Sequence, residues 1–276
     1  IDIVDRSIGA QNAPKFALLD IDNDNDLDLV YGSDSERRIF LFEDKEYKRS
    51  ASMNIGWGGV ENLVAGDLNN DGRVDLVVNG TDRQLVVYLN TENGFSESYR
   101  LSSGGLTDTK LKIVDVNNNG RKEIMFAGMT SKLSDGVPKL YSIEWNPEGN
   151  AFAFRDESTK ITALKNAVYD FGDFDKDSKV DFILSGSGNL GLRTFLYKNN
   201  TLPGEAMALS ATADVLPRIS KGTVHFIDYD GDGDEDLVFT GTSSQGNIFQ
   251  VFSNGLGTGG GFSAKATNLD AIEDSK

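Results

Sequence analysis

Residues 228–238 read DYDGDGDEDLV, and the same pattern stands at four other places in the chain. They are DIDNDNDLDLV at 20–30, DLNNDGRVDLV at 67–77, DVNNNGRKEIM at 115–125 and DFDKDSKVDFI at 173–183. Side chains with oxygen occupy positions 1, 3, 5 and 9 of each nine-residue loop, and an apolar run follows at once. The starting Asp residues lie 47, 48, 58 and 55 residues apart, so the chain is built from contiguous copies of one unit.

The flanks of each loop repeat as well. The fourth and second residues before it are apolar or small: Phe16 and Leu18, Leu63 and Ala65, Leu111 and Ile113, Tyr169 and Phe171, Val224 and Phe226. That spacing of two predicts a strand with one buried face. The apolar run after each loop ends at a glycine: Gly32, Gly80, Gly128, Gly186 or Gly241. A third apolar run follows, at 39–42, 85–89, 140–145, 194–197 and 248–252. Turn signals such as Asn93-Gly94, Glu148-Gly149 and Pro203-Gly204 then precede a weaker fourth strand, as at 98–101 and 152–155. The first repeat has no glycine in its 43–49 turn. Four short strands per unit predict an all-β chain: a β-propeller of four-stranded antiparallel blades in a single domain over 1–276. Its loops fall at 20–28, 67–75, 115–123, 173–181 and 228–236. Ile1–Val4 offers an outer strand that would close the ring, and 264–276 is either a last strand or a frayed end.

Crowding carboxylates into nine residues is repulsive unless a cation neutralises them. Calcium takes six to eight oxygen ligands in flexible geometry, and alternate spacing aims short side chains at one point. The expected ligands are Asp20, Asp22, Asp24 and Asp28; Asp67, Asn69, Asp71 and Asp75; and Asp115, Asn117, Asn119 and Glu123. The last two loops supply Asp173, Asp175, Asp177 and Asp181, and Asp228, Asp230, Asp232 and Asp236. Position 7 adds a backbone carbonyl, which explains its variety: Asp26, Arg73, Arg121, Lys179 and Asp234. Up to five calcium ions are expected, bound most weakly by the third loop, which has two carboxylates and two Asn. An EF-hand is excluded, because position 12 is Tyr31, Val78, Phe126, Leu184 or Phe239 rather than a bidentate Glu.

Composition narrows the chemistry further. The chain has 43 acidic and 27 basic residues, a formal charge of -16, one His and no Cys. Nothing here forms the basic cluster a nucleic acid would need. Disulfides, thiolate zinc sites and a Cys nucleophile are excluded, and His225 is the single imidazole. No stretch reaches the roughly 18–20 apolar residues of a membrane span. Five divalent ions would bring the charge of -16 to about -6, so much of the acidity belongs to the loops.

The D-x-D-x-D-G-x-x-D-L loop between two strands, repeated through about residues 12–262, resembles the FG-GAP/VCBS repeat family, which includes the integrin alpha-subunit propeller. The resemblance implies a propeller with calcium in the loop joining the first two strands of each blade. It also implies an extracellular, cell-surface or periplasmic protein that binds a glycan or a protein. Integrin-type propellers have seven blades. Five motifs here favour five, and the alternative is a fragment of a seven-bladed ring.

The favoured function is therefore a non-catalytic binding or adhesion module. Trp57, in an inter-blade loop between glycines, is the candidate ligand-binding aromatic, with packing between blades as the competing role. Arg83, Asp135 and Arg193 fall in expected strand 2–3 loops as ordinary solvated charges, and Trp145 reads as packing. The alternatives are a polysaccharide lyase or glycosidase on a propeller scaffold, and a structural spacer. No carboxylate pair outside the loops stands out for catalysis. His225 alternates with Val224 and Phe226 on a first strand, where it would lie beside Asp170 or Lys112.

Overall fold

The computed structural model describes residues 15–33, 37–50, 59–102, 106–130, 136–212, 216–255 and 261–265. Among these the chain is all-β, with five four-stranded antiparallel sheets, one per repeat. A single short 3-10 turn at Ser158–Lys160 interrupts them. The first sheet is β1 (Lys15–Leu19), β2 (Asp28–Gly32), β3 (Arg37–Glu43) and β4 (Glu46–Arg49). The second is β5 (Val60–Gly66), β6 (Asp75–Gly80), β7 (Gln84–Thr91) and β8 (Gly94–Ser102). The third is β9 (Thr107–Val114), β10 (Glu123–Met129), β11 (Pro138–Asn146) and β12 (Ala151–Asp156). The fourth is β13 (Lys165–Gly172), β14 (Asp181–Gly188), β15 (Gly191–Asn199) and β16 (Leu209–Ala211). The fifth is β17 (Ser220–Ile227), β18 (Asp236–Ser243), β19 (Gly246–Ser253) and β20 (Ser263–Lys265). Each strand pairs with the next in chain order, which is the blade pattern of a β-propeller-like fold. In every sheet the acidic loop joins the first strand to the second.

The second strands carry the core. β6 and β10 are buried at every residue, because they lie mid-sheet and pack through both faces. The chain divides into two compact units, the first holding the first two sheets and most of the third. In that unit Leu19, Ile21, Val30, Ile39, Val60, Leu76 and Val78 form one cluster between the first two sheets. Val77, Val87, Ile124, Phe126, Ile143 and Trp145 form another between the second and third. In the other unit Val168, Ile183, Leu196, Val224, Leu237 and Phe239 pack the fourth sheet on the fifth. Trp145 is buried, with its ring 5.0 Å from Phe152 in an edge-on contact, so its role is packing.

Several expectations are corrected. Phe16 and Leu18 are 68% and 51% exposed, while Ala17 and Leu19 on the other side of β1 face the core. Their counterparts Leu63 and Ala65 pack toward the first sheet, which covers that face of the second repeat. Among the described residues the outer strand of the fifth sheet is β20, from the same repeat. Ile1–Val4, Trp57 and Asp135 lie outside the described residues. Arg193 sits within β15, paired with Gly186, rather than in a loop.

The glycine ending β2 has a steric cause. A Cβ on Gly32 would sit 2.4 Å from Val60 Cγ2, the first residue of the next sheet, so only hydrogen fits there. The glycine-free turn of the first repeat is made by Asp44 and Lys45, both at positive φ (54° and 68°). The strain of two non-glycine residues there is accepted to keep a two-residue hairpin.

Candidate metal centres

The nine-residue loops are wound around their own carboxylates. Position 1 accepts two backbone N–H groups from the far side of the loop. Asp20 accepts those of Asp24 and Asn25, Asp67 those of Asp71 and Gly72, and Asp173 those of Asp177 and Ser178. Asp115 and Asp228 do the same, the latter for Gly231 and Gly233. Position 5 accepts the N–H of position 7, as in Asp24 to Asp26, Asp71 to Arg73, Asp177 to Lys179 and Asp232 to Asp234. These turns place position 6 in the left-handed region, at φ 84° for Gly72 and 66° for Ser178. Glycine enters that region freely, whereas Ser178 is held there at a steric cost.

Position 9 has a role the spacing did not reveal. Asp28, Asp75, Asp181 and Asp236 are fully buried. One oxygen of each accepts the N–H of position 2 in its own loop: Ile21, Leu68, Phe174 and Tyr229. The other accepts a backbone N–H at the end of the third strand: Phe42, Asn90, Asn199 and Asn254. The carboxylate therefore ties its loop to the sheet and still has lone pairs to offer a cation.

Three of those third-strand residues also reach back to the preceding repeat. The Asn90 amide donates to the carbonyl of Ile21 at 2.7 Å, that of Asn199 to Val116 at 2.9 Å and that of Asn254 to Phe174 at 2.5 Å. Each acceptor is position 2 of the neighbouring loop. The fourth and fifth loops are stitched further. The Asp173 N–H donates to Glu235, and Lys176 pairs with Asp234.

In three loops the acids at positions 1, 3 and 9 converge. Asp20, Asp22 and Asp28; Asp173, Asp175 and Asp181; and Asp228, Asp230 and Asp236 each bring three oxygens within 4.8 Å of one another. Asp26 Oδ1 and Asp175 Oδ1 are buried there with no hydrogen-bond partner. Burial raises the pKa of Asp22, and the charges of Asp28, Asp24 and Asp20 raise it further. Burial likewise pushes Asp75 up to about 6 and Asp181 up to about 7, opposed in part by their backbone hydrogen bonds. Hard oxygen donors, mutual repulsion and unmet acceptors fit a divalent cation.

The remaining loops differ in chemistry. The second has Asn69 at position 3, and its amide donates to Asp71 at 3.0 Å, a neutral group where the other three place a carboxylate. The third keeps only Asp115 and Glu123 as acids. At position 7 the side chains of Arg73 and Arg121 turn to other partners, Glu92 and Glu144. His225 lies beside Asp170, with Nδ1 3.2 Å from the carboxylate, as its strand position suggested.

Comparison with known proteins agrees with this architecture. No curated protein matches the chain. The FG-GAP-like repeat family matches it twice, at residues 20–78 and 67–126, each span running from one acidic loop into the second strand of the next repeat. Over residues 20–126, in the first three sheets, the chain is similar to the FG-GAP-like repeat family, and all five of its sheets share the same blade pattern.

Proposed function

We propose that the chain is a calcium-stabilised binding module of a secreted or surface protein, recognising a glycan or another protein without catalysis. The observation that carries the calcium assignment is the convergence of three carboxylate oxygens within 4.8 Å in the first, fourth and fifth loops. The ions, up to five in number, would be held by positions 1, 3, 5 and 9 together with the carbonyl of position 7. Bound calcium supplies charge neutralisation and cross-links each loop to its sheet. The chain's own residues supply the rest: position 9 fixes the loop against the third strand, and the asparagine amides fix one repeat to the next. Extracellular fluid holds millimolar calcium, enough to fill modest sites, which supports an extracytoplasmic location.

A glycan array probed with calcium-loaded protein tests the binding role. Calcium-dependent retention on one class of glycan is the expected result, and equal retention in excess chelator would contradict the proposed dependence. A Trp57→Ala variant then tests the candidate aromatic directly. A polysaccharide-degradation screen addresses the catalytic alternative. Turnover lost in His225→Ala would replace the non-catalytic reading.

A further inference from the structure

The fourth and fifth loops carry the same four aspartates, at positions 1, 3, 5 and 9. They differ in what the third strand brings to them. Asn199 and Asn254 occupy equivalent places, since each donates its backbone N–H to the position-9 carboxylate of its own repeat. The residues just before them, Lys198 and Ser253, are therefore equivalent too. Both reach the carboxylate at position 3. Ser253 Oγ donates to Asp230 Oδ2 at 3.2 Å. Lys198 Nζ pairs with Asp175 Oδ2 and also stands 3.5 Å from Asp177 Oδ2. By the same register the first and second repeats have Leu41 and Leu89 at this place.

The fourth loop thus contains a cation from its own chain, placed on two of the carboxylates that a metal would use. An ammonium brings one charge and three donors. Calcium brings two charges and takes six to eight ligands. Lys198 partly neutralises the loop without satisfying it: Asp175 Oδ1 stays buried and without a hydrogen-bond partner beside the ammonium. A metal entering the site must displace the amine from Asp175 and Asp177 or bind next to a positive charge. At the fifth loop the equivalent group is a neutral hydroxyl, and the cation nearby, Lys176, pairs with the position-7 side chain of Asp234 and leaves the acids at positions 3 and 5 without an ammonium partner among the described residues.

We propose that Lys198 is an internal counter-ion that competes with calcium at the fourth loop, so this loop binds calcium more weakly than the fifth despite the same aspartates at positions 1, 3, 5 and 9. This rests on the calcium assignment above and corrects the ranking by carboxylate count, which makes the two loops equal.

The test is a calorimetric calcium titration of the full chain, with melting curves in excess chelator and in calcium. Lys198→Ser gives the fourth loop the third-strand hydroxyl that the fifth has. One site should tighten by roughly tenfold or more, the Coulomb effect of removing one adjacent positive charge. The melting temperature should fall in chelator, where the counter-ion is lost, while the gain on adding calcium should grow. Lys198→Arg should retain the wild-type behaviour. Adding Asp175→Asn to Lys198→Ser should abolish the tightened site and so assign it to the fourth loop. The reciprocal Ser253→Lys should weaken one site, which keeps the idea testable if the first variant folds poorly. Unchanged affinity in both variants would overturn the proposal, as would a melting loss equal in chelator and calcium, the mark of a merely structural lysine. Absence of calcium binding by both the wild type and Lys198→Ser would overturn the calcium assignment itself, and the proposal with it.

Discussion

The side-chain amide of Asn254 donates to the carbonyl of Phe174, 2.5 Å away in the preceding repeat, while its backbone N–H binds Asp236 at 2.7 Å. Phe174 N–H in turn binds Asp181 at 3.1 Å. One asparagine therefore links the position-9 carboxylates of two neighbouring loops through a single residue, Phe174. Asn254→Ala would leave that buried carbonyl without this donor. A stability loss of about 1–3 kcal/mol is expected in denaturant unfolding. A loss within a few tenths would mean that the link is incidental.

Phe239 lies at the centre of β18 with no exposed surface, in the cluster that packs the fourth sheet on the fifth. Phe239→Ala should cost about 3–5 kcal/mol, as removal of a buried aromatic ring does when the cavity cannot collapse. An equivalent truncation of exposed Phe16 should cost far less. Chemical denaturation of the two variants under one condition checks the contrast.

Much of the fold was legible because each repeat states it independently. Period-2 runs, loops and terminal glycines agreed in copy after copy, so the sheet order followed directly. The links between repeats were not legible. Asn90 follows Asp75 by 15 residues, whereas Asn199 and Asn254 follow Asp181 and Asp236 by 18. Variable hairpin length hides their equivalence until pairing registers are known. Lys198 was missed for the same reason, since it lies 23 residues from Asp175. The exposed face of β1 was misread because periodicity identifies alternate faces without saying which has a neighbour.

The raised carboxylates make stability depend on pH with a sign that metal should reverse. Asp75 and Asp181 are pushed by burial from the ordinary 3.8 to about 6 and about 7. Without metal, the native state holds protons that the unfolded chain releases between about pH 4 and 7. Stability should then fall as pH rises through that window. Calcium needs the ionised carboxylates, so its affinity and the stability it confers should rise through about pH 6 to 7. Melting curves from pH 4 to 8, in chelator and in calcium, measure both slopes. A metal-free stability that climbs from pH 4 to 7 would contradict this assignment of buried charge.

Calcium at the acidic loops is the central claim, and paired melting with metal analysis tests it most directly. Protein verified to be calcium-loaded should lose its metal to excess chelator and melt at a clearly lower temperature, because a ligand held only by the native state stabilises it. Restoring calcium should restore the melting temperature. Complete removal of calcium with no change in melting temperature would contradict the account.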